Sequence, residues 1–315
     1  MKTGMRRTSI AGLLGLALAL VAATAAVVAA SGAADTPIAR SAPAPVSTPV
    51  LTLVALGDSY SSGEGNGPYN DVGSRMKSCH NSPKAWPNLL DGVPEGPAVT
   101  LQRSFACTGA SIAQLYGAWP ETGQDSQLGQ LDSLSDSPPT FVTITIGGND
   151  VGFSDILTGC YVAGPPFSST CSASGILRAA GDYVTGVLRR RLVHAYEAVK
   201  AHALGAQVVV VGYPRLFPTM GHPIDNCGWL QGKERSGVNN LVAAADSVMT
   251  SAAQEAGVEY VSVLDALEGH ELCTEDSWMN PIRFGLFSEG HPSFRGQDAI
   301  ANIVNSHLRR FFPGL

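Results

Sequence analysis

Long apolar runs that stop abruptly, several of them on a glycine, shape the first picture of this chain. Four of them, Val50–Leu56, Phe141–Ile146, Gln207–Gly212 and Glu259–Leu264, are apolar at nearly every position. Strands covered on both faces of a sheet read this way. Between the later runs the period changes. Val184, Leu188, Leu192, Tyr196 and Val199 fall on one face of a helix predicted over Asp182–Leu204, with Gly205 as its C-terminal cap. A second helix is predicted over Val238–Ala256, with Leu241, Val242, Ala245, Val248, Met249 and Ala252 on one face and Gly257 after it. A last helix opens near Ser293, its expected N-cap, and carries Ile300, Ile303, Val304 and Leu308. Strands alternating with helices predict a parallel sheet sandwiched between helical layers. No internal repeat is present, so one α/β/α domain is expected, with long excursions at 61–83, 152–181 and 213–237.

The N-terminus breaks this pattern. Lys2, Arg6 and Arg7 precede an unbroken apolar run from Ile10 to Ala30, followed by Ser31-Gly-Ala-Ala34. That is the layout of a secretory signal peptide, expected at 1–34, with an uncleaved membrane anchor as the alternative. The run is Ala-rich and ends on small residues, which favours cleavage and leaves no membrane anchor. Residues 35–48 lack periodicity and carry three prolines, as a linker does, so the folded domain is expected at 49–315. The whole chain has a formal charge of −6, and removal of 1–34 leaves 17 basic against 26 acidic side chains. An acidic chain without a basic cluster is poorly suited to nucleic acid or to anionic membrane surfaces.

Six cysteines lie beyond the signal segment: Cys79, Cys107, Cys160, Cys171, Cys227 and Cys273. An even number in an exported chain points to disulfides, with fifteen pairings possible. Sequential pairing is expected, as Cys79–Cys107, Cys160–Cys171 and Cys227–Cys273, each contributing roughly 3–4 kcal/mol by loop entropy. None forms a Cys-x-x-Cys pair, so no zinc site is implied.

Chemistry enters where the strands end. The first apolar run closes on Leu56-Gly57-Asp58-Ser59, which puts Ser59 at the carboxyl end of a strand, where open α/β sheets place their ligand crevices. The plain alternative is a serine in a turn. The second strand ends in Thr145-Ile-Gly-Gly-Asn-Asp150, and the amide of Asn149 there is a donor suited to an oxyanion, unless the segment is simply an Asx turn. Before the last helix stands Ser288-Glu-Gly-His-Pro292, a histidine in a Gly/Pro-bounded loop with little reason to be in a core. His194, His202 and His307 fall in predicted helices, whereas His222 and His270 fall in loops from which they would reach a cleft. Among the loop aromatics, Tyr69, Trp86, Trp119, Phe153, Tyr161, Phe167, Phe217, Trp229 and Trp278 are available to line an acyl groove. Gly-x-Ser-x-Gly is absent, which removes the α/β-hydrolase elbow, and Gly63-Glu-Gly-Asn-Gly67 lacks the Gly-Lys-Ser/Thr of a phosphate loop.

Four segments in order carry a resemblance. Gly57-Asp58-Ser59-Tyr60-Ser61, Ala106-Cys107-Thr108-Gly109-Ala110, Gly147-Gly148-Asn149-Asp150 and Gly290-His291-Pro292 resemble the motif blocks of the GDSL, or SGNH, hydrolases, in particular their secreted bacterial lipases and esterases. The resemblance covers residues 50–312 and implies a three-layer α/β/α sandwich with a parallel, flavodoxin-like sheet. It also implies roles. Ser59 is the nucleophile, and His291 is the general base. Ser59 N–H, Gly109 N–H and the Asn149 amide form the oxyanion hole, while Asp58 and Asp150 hold their loops. One departure stands out: the aspartate that many members place three residues before the histidine is Ser288 here. The Ser288 carbonyl is expected to orient His291, with Glu289 and Asp265 as carboxylate alternatives.

The expected activity is serine ester hydrolysis through an acyl-enzyme, without cofactor or metal, by a secreted monomer acting on a lipid acyl ester. A carbohydrate acetylesterase and a catalytically silent secreted binding module are the alternatives.

Overall fold

In the computed structural model, the described residues include five parallel strands that build one sheet. They are β1 (Leu51–Gly57), β2 (Val99–Ser104), β3 (Phe141–Thr145), β4 (Gln207–Val211) and β5 (Glu259–Val261), in the order β2-β1-β3-β4-β5. This is the flavodoxin-like order, whose topological switch point lies between β1 and β3. The structure describes residues 50–70, 78–92, 98–119, 123–163, 175–219, 230, 232–282 and 290–311, all within one compact unit, Ser47–Leu315. The expected signal peptide at 1–34 and linker at 35–48 lie outside the described residues.

Ten α-helices accompany the sheet among those residues. After β1 come α1 (Ser59–Ser62) and α2 (Trp86–Leu89), and after β2 come α3 (Ala113–Tyr116) and α4 (Gln127–Asp132). β3 is followed by α5 (Gly148–Val151), α6 (Phe153–Ala163), α7 (Ile176–Tyr183) and α8 (Arg189–His202). The last two are α9 (Gly232–Ala256) and α10 (Phe294–Phe311).

The two-residue period of a strand divides the core. Val54, Leu56, Val142, Ile144, Val208 and Val210 face one side, where they pack with Leu131, Leu192, Tyr196 and Leu241 of α4, α8 and α9. Leu51, Leu53, Phe141, Val209 and Val211 face the other, against Trp86 of α2 and Ile300, Val304 and Leu308 of α10. Both faces are covered, so the central strands need apolar residues at every position.

The expected elements differ from the observed ones in instructive places. β2 is not among the expected strands because Val-Thr-Leu-Gln-Arg-Ser alternates with polar residues; it is an edge strand with only Val99 fully buried. β5 stops at Val261, level with the end of β4, instead of running to Leu264. The helix expected to begin at Asp182 begins at Ile176 and passes through a π-helical stretch, Val184–Leu188. Its left-handed exit starts at Leu204, φ +56°, one residue before Gly205. The helix expected over Val238–Ala256 starts at Gly232. The Ser293 hydroxyl makes its hydrogen bond to the Trp278 carbonyl, 2.9 Å away, and not to an N–H in the first turn of α10.

Cys79 and Cys107 form the first expected disulfide. Cys160 and Cys273 are also disulfide-bonded, while Cys171 and Cys227, their expected partners, lie outside the described residues.

β1 leaves the sheet at Gly57, where φ is +121° and an added Cβ would lie 2.2 Å from the Thr145 carbonyl oxygen of β3. Only glycine satisfies both the backbone angle and that approach. Gly57→Ala is therefore expected to cost more than about 3 kcal/mol in urea-unfolding measurements. A loss below about 1 kcal/mol would mean the strands can part at this point without penalty.

Candidate active site

The turn after β1 presents Ser59 as the first residue of α1. Asp58 caps this helix, its Oδ1 accepting from Tyr60 N–H at 3.0 Å. The turn is held by backbone and by a side chain. Asp58 N–H donates to Thr145 O at 2.9 Å, and Cys107 N–H donates to Gly57 O at 2.9 Å. The buried amide of Gln127 clamps Gly57 from both sides, accepting from its N–H and donating to its carbonyl, each at 2.8 Å.

His291 arrives from the loop before α10, and its Nε2 lies 2.7 Å from Ser59 Oγ. The loop carrying it is fixed at its backbone. Asn280 N–H donates to His291 O at 2.8 Å, and Gly290 N–H donates to Asn280 O at 3.2 Å. Tyr60 Oη donates to Gly290 O at 2.8 Å, and Asn66 Nδ2 donates to Pro292 O at 2.9 Å. The loop that carries the imidazole is thus fixed against the serine through its backbone, by Tyr60, Asn66 and Asn280.

Two further turns bring donors to the same edge. Gly109 adopts φ +78°, a backbone that favours glycine, and its Cα faces the Trp119 ring. Neither Gly109 N–H nor Ser59 N–H has a hydrogen-bond partner among the described residues. Asn149, in α5, donates one amide hydrogen to Ala110 O at 2.8 Å, and it lines the same cleft as Ser59 and His291. Beneath it, Asp150 accepts from Ile112 N–H at 2.9 Å and pairs with Arg191 at 3.0 Å. Burial nonetheless pushes the Asp150 carboxyl above the ordinary carboxylate range.

The cleft, ≈ 470 Å³ and open to solvent, has an apolar wall of Phe153, Leu157, Pro214, Leu216 and Val242 beside the polar edge just described. A serine hydroxyl within hydrogen-bond reach of an imidazole, with several N–H donors and an apolar wall beside it, is a layout suited to acyl transfer.

Other expected residues lie elsewhere. Asp265 is paired with Arg215 and is largely exposed, so it does not orient His291; the guanidinium holds it on the surface. His270 stacks on Trp278, ring centroids 3.7 Å apart, and is not in the cleft. Trp86 and Phe217 are fully buried core residues, and Tyr69 stacks on His80, so among the candidate groove aromatics whose side chains are described Phe153 is the one found in the cleft wall; the Tyr161 side chain is outside that description. Ser288, Glu289, His222, Phe167 and Trp229 lie outside the described residues.

Comparison with known proteins agrees with this geometry. The model of the GDSL-like lipase/acylhydrolase family matches residues 55–299. This chain belongs to that family. A lipase of Streptomyces rimosus is 34% identical over 245 residues, covering 78% of this chain and 81% of the relative. Lipase 1 of Streptomyces coelicolor is 33% identical over the same shares. Among solved structures, the extracellular lipase of S. rimosus superposes with a TM-score of 0.65 at 30% identity, covering 81% of this chain and 99% of that one. Phospholipase A1 of Streptomyces albidoflavus superposes at 0.66 and 32%, covering 81% and 98%. The protein is a GDSL-family serine ester hydrolase.

Within this GDSL fold, several side chains that build the site escaped the sequence reading. Tyr213, just past the end of β4, donates to Asp58 Oδ2 at 2.5 Å and accepts from Gly148 N–H at 2.9 Å. Its position just after a parallel strand was the available signal, since crevices form there. Gln127 and the buried Glu64–His80 pair, 2.5 Å apart, left no comparable trace in sequence. Their partners are distant in the chain or fall in a segment without period.

Asp58 has a further consequence. Burial raises its carboxyl from 3.8 to about 7; hydrogen bonds from Tyr213 and Tyr60 oppose this, and the nearby Asp150 adds to it. A carboxyl whose folded value exceeds its unfolded one binds its proton more tightly in the fold. Its contribution to stability is therefore full below pH ~4 and is lost as pH rises through ~7, by on the order of 4 kcal/mol. Asp58→Asn should flatten the stability profile across this window relative to the wild type, as read by urea unfolding at successive pH values. Parallel profiles would mean that Asp58 is ionised in the fold throughout.

Proposed function

We propose that this GDSL hydrolase is exported and cleaves acyl esters of lipids through an acyl-enzyme on Ser59. The observation that carries the proposal is the 2.7 Å approach of His291 Nε2 to Ser59 Oγ at the rim of an apolar cleft. In this reading His291 takes the hydroxyl proton as Ser59 Oγ attacks the ester carbonyl. Negative charge develops on the carbonyl oxygen, where Ser59 N–H, Gly109 N–H and the second amide hydrogen of Asn149 act as donors. Collapse expels the alcohol, which receives its proton from His291; water, activated by the same imidazole, then releases the acid.

The acyl chain lies along Phe153, Leu157, Leu216 and Val242. A lipid ester is favoured by this wall and by similarity to proteins named as lipases and as a phospholipase A1. With Asp265 held by Arg215, we assign the orientation of His291 to the Ser288 carbonyl, making a Ser59–His291 dyad. Export rests on the basic-then-apolar segment at 1–34, and catalysis on the domain at 49–315. Among the described residues no helix is long and apolar enough to cross a membrane.

A fluorophosphonate should label Ser59 of the folded chain at one site, with turnover of p-nitrophenyl esters persisting as the acyl chain lengthens beyond acetate. Absence of labelling would sink the esterase mechanism, and a steep preference for acetate would replace lipid with acetylated glycan. Ser288→Ala and Glu289→Gln should each leave kcat within roughly threefold of wild type, since neither removes the backbone carbonyl. A loss of about 10⁴ for Glu289→Gln would instead make the site a carboxylate triad.

A further inference from the structure

Tyr213 belongs to none of the four motif segments and takes no step in the mechanism above, yet it sits at the centre of the site. It follows β4 by two residues, and β4 pairs with β3. To reach Asp58 beyond β1, its ring has to pass over the carboxyl end of β3. It does so at Gly148, where an added Cβ would lie 3.0 Å from Tyr213 Cζ and 3.1 Å from its hydroxyl. The backbone of Gly148 is not left-handed, so the missing side chain serves the ring and not the turn.

The hydroxyl then makes two bonds that a phenylalanine of the same shape would forfeit. It donates to Asp58 Oδ2 at 2.5 Å and accepts from Gly148 N–H at 2.9 Å. Gly148 opens the single turn of α5, where a backbone N–H has no partner within its own helix. One oxygen thus joins the carboxyl ends of three strands. Asp58 caps the helix that begins with Ser59, and Gly148 directly precedes Asn149. The ring is 8% exposed and forms part of the cleft wall, packed edge-on against Tyr60 with centroids 5.0 Å apart. Burial, and then the neighbouring Asp58 carboxyl, push the Tyr213 hydroxyl well above its ordinary value, which keeps it protonated as a donor.

We propose that Tyr213 is a positioning residue for ester hydrolysis, its hydroxyl holding the Asn149 amide at the separation from Ser59 that the developing oxyanion requires. The proposal rests on Asn149 being an oxyanion donor. Asn149 keeps its own bond to Ala110 O, so removal of the tyrosine hydroxyl loosens the donor without abolishing it. Misplacement of a catalytic group by about 1 Å costs up to ~10² in rate, which sets the ceiling for the effect.

The test is a double-mutant cycle on the full chain, with kcat and KM measured on a p-nitrophenyl ester. Tyr213→Phe should lower kcat about tenfold with KM within about twofold, while fluorophosphonate still titrates Ser59 to one site per chain. Asn149→Ala should lower kcat by about 10²–10³. In that background Tyr213→Phe should cost less than about twofold more, because the group it positions is gone. A purely structural role would lower Tm and leave the two losses multiplicative, which would overturn the proposal, as would wild-type kcat in Tyr213→Phe. If Asn149→Ala alone is silent, the oxyanion assignment falls first, and the two failures are thereby distinguished. Should Tyr213→Phe fail to fold, Asp58→Asn keeps the cap on Tyr60 N–H but takes away the acceptor of the Tyr213 hydroxyl, and is run through the same cycle. Multiplicative losses there would overturn the proposal equally.

Discussion

The site depends on how closely β1 and β3 can run together at their carboxyl ends. Gly57 pairs with Thr145, and the next residue donates its N–H to the Thr145 carbonyl. This close parallel contact puts the exits of two strands side by side at the switch point of the sheet, where chain connections diverge and leave a crevice. Ser59 leaves from one strand and Asn149 from the other. A side chain at Gly57 would separate them, and Ser59 and the Asn149 amide would no longer share a cleft.

Around that contact the loops are tied mostly through their backbones. Gln127 clamps Gly57, and Cys107 reaches the Gly57 carbonyl from the loop whose next turn carries Gly109. The Cys79–Cys107 disulfide lies under the same turn, and Thr108 N–H donates to Cys79 O at 3.1 Å. On the opposite side Tyr60, Asn66 and Asn280 hold the Gly290–Pro292 backbone. Each tether reduces what must be ordered when substrate binds, and rates of acyl transfer respond steeply to such ordering. The loops here behave as fittings of the sheet rather than as free connections.

The arrangement requires polar groups to be buried close to Ser59. Asp58, Glu64, His80 and Gln127 are all nearly inaccessible, and each has a directed partner. A buried polar group without a partner costs about 1–3 kcal/mol, so the partners are as necessary as the groups themselves. Asp58 shows the balance most clearly. Burial disfavours its charge, while the Tyr213 hydroxyl and the Tyr60 N–H favour it, and its carboxyl ends near neutrality. The stability of the domain and the geometry of its site therefore share the same few bonds.

The sequence by itself determined the central strands, the main helices, the parallel α/β/α class, and Ser59, Gly109, Asn149 and His291 as residues to examine. These follow from local chemistry: apolar runs with a period, glycines at strand exits, and short segments whose order matches a family. The edge strand β2 stayed hidden because one exposed face breaks the apolar run that marks a central strand. The tertiary structure alone decided the rest. It put Asp265 on Arg215, His270 on Trp278, Gln127 on Gly57 and Tyr213 across Gly148 onto Asp58. The last two join residues 70 and 155 positions apart in the chain. No local pattern encodes such a pairing, because it exists only once the sheet has brought the strand ends together.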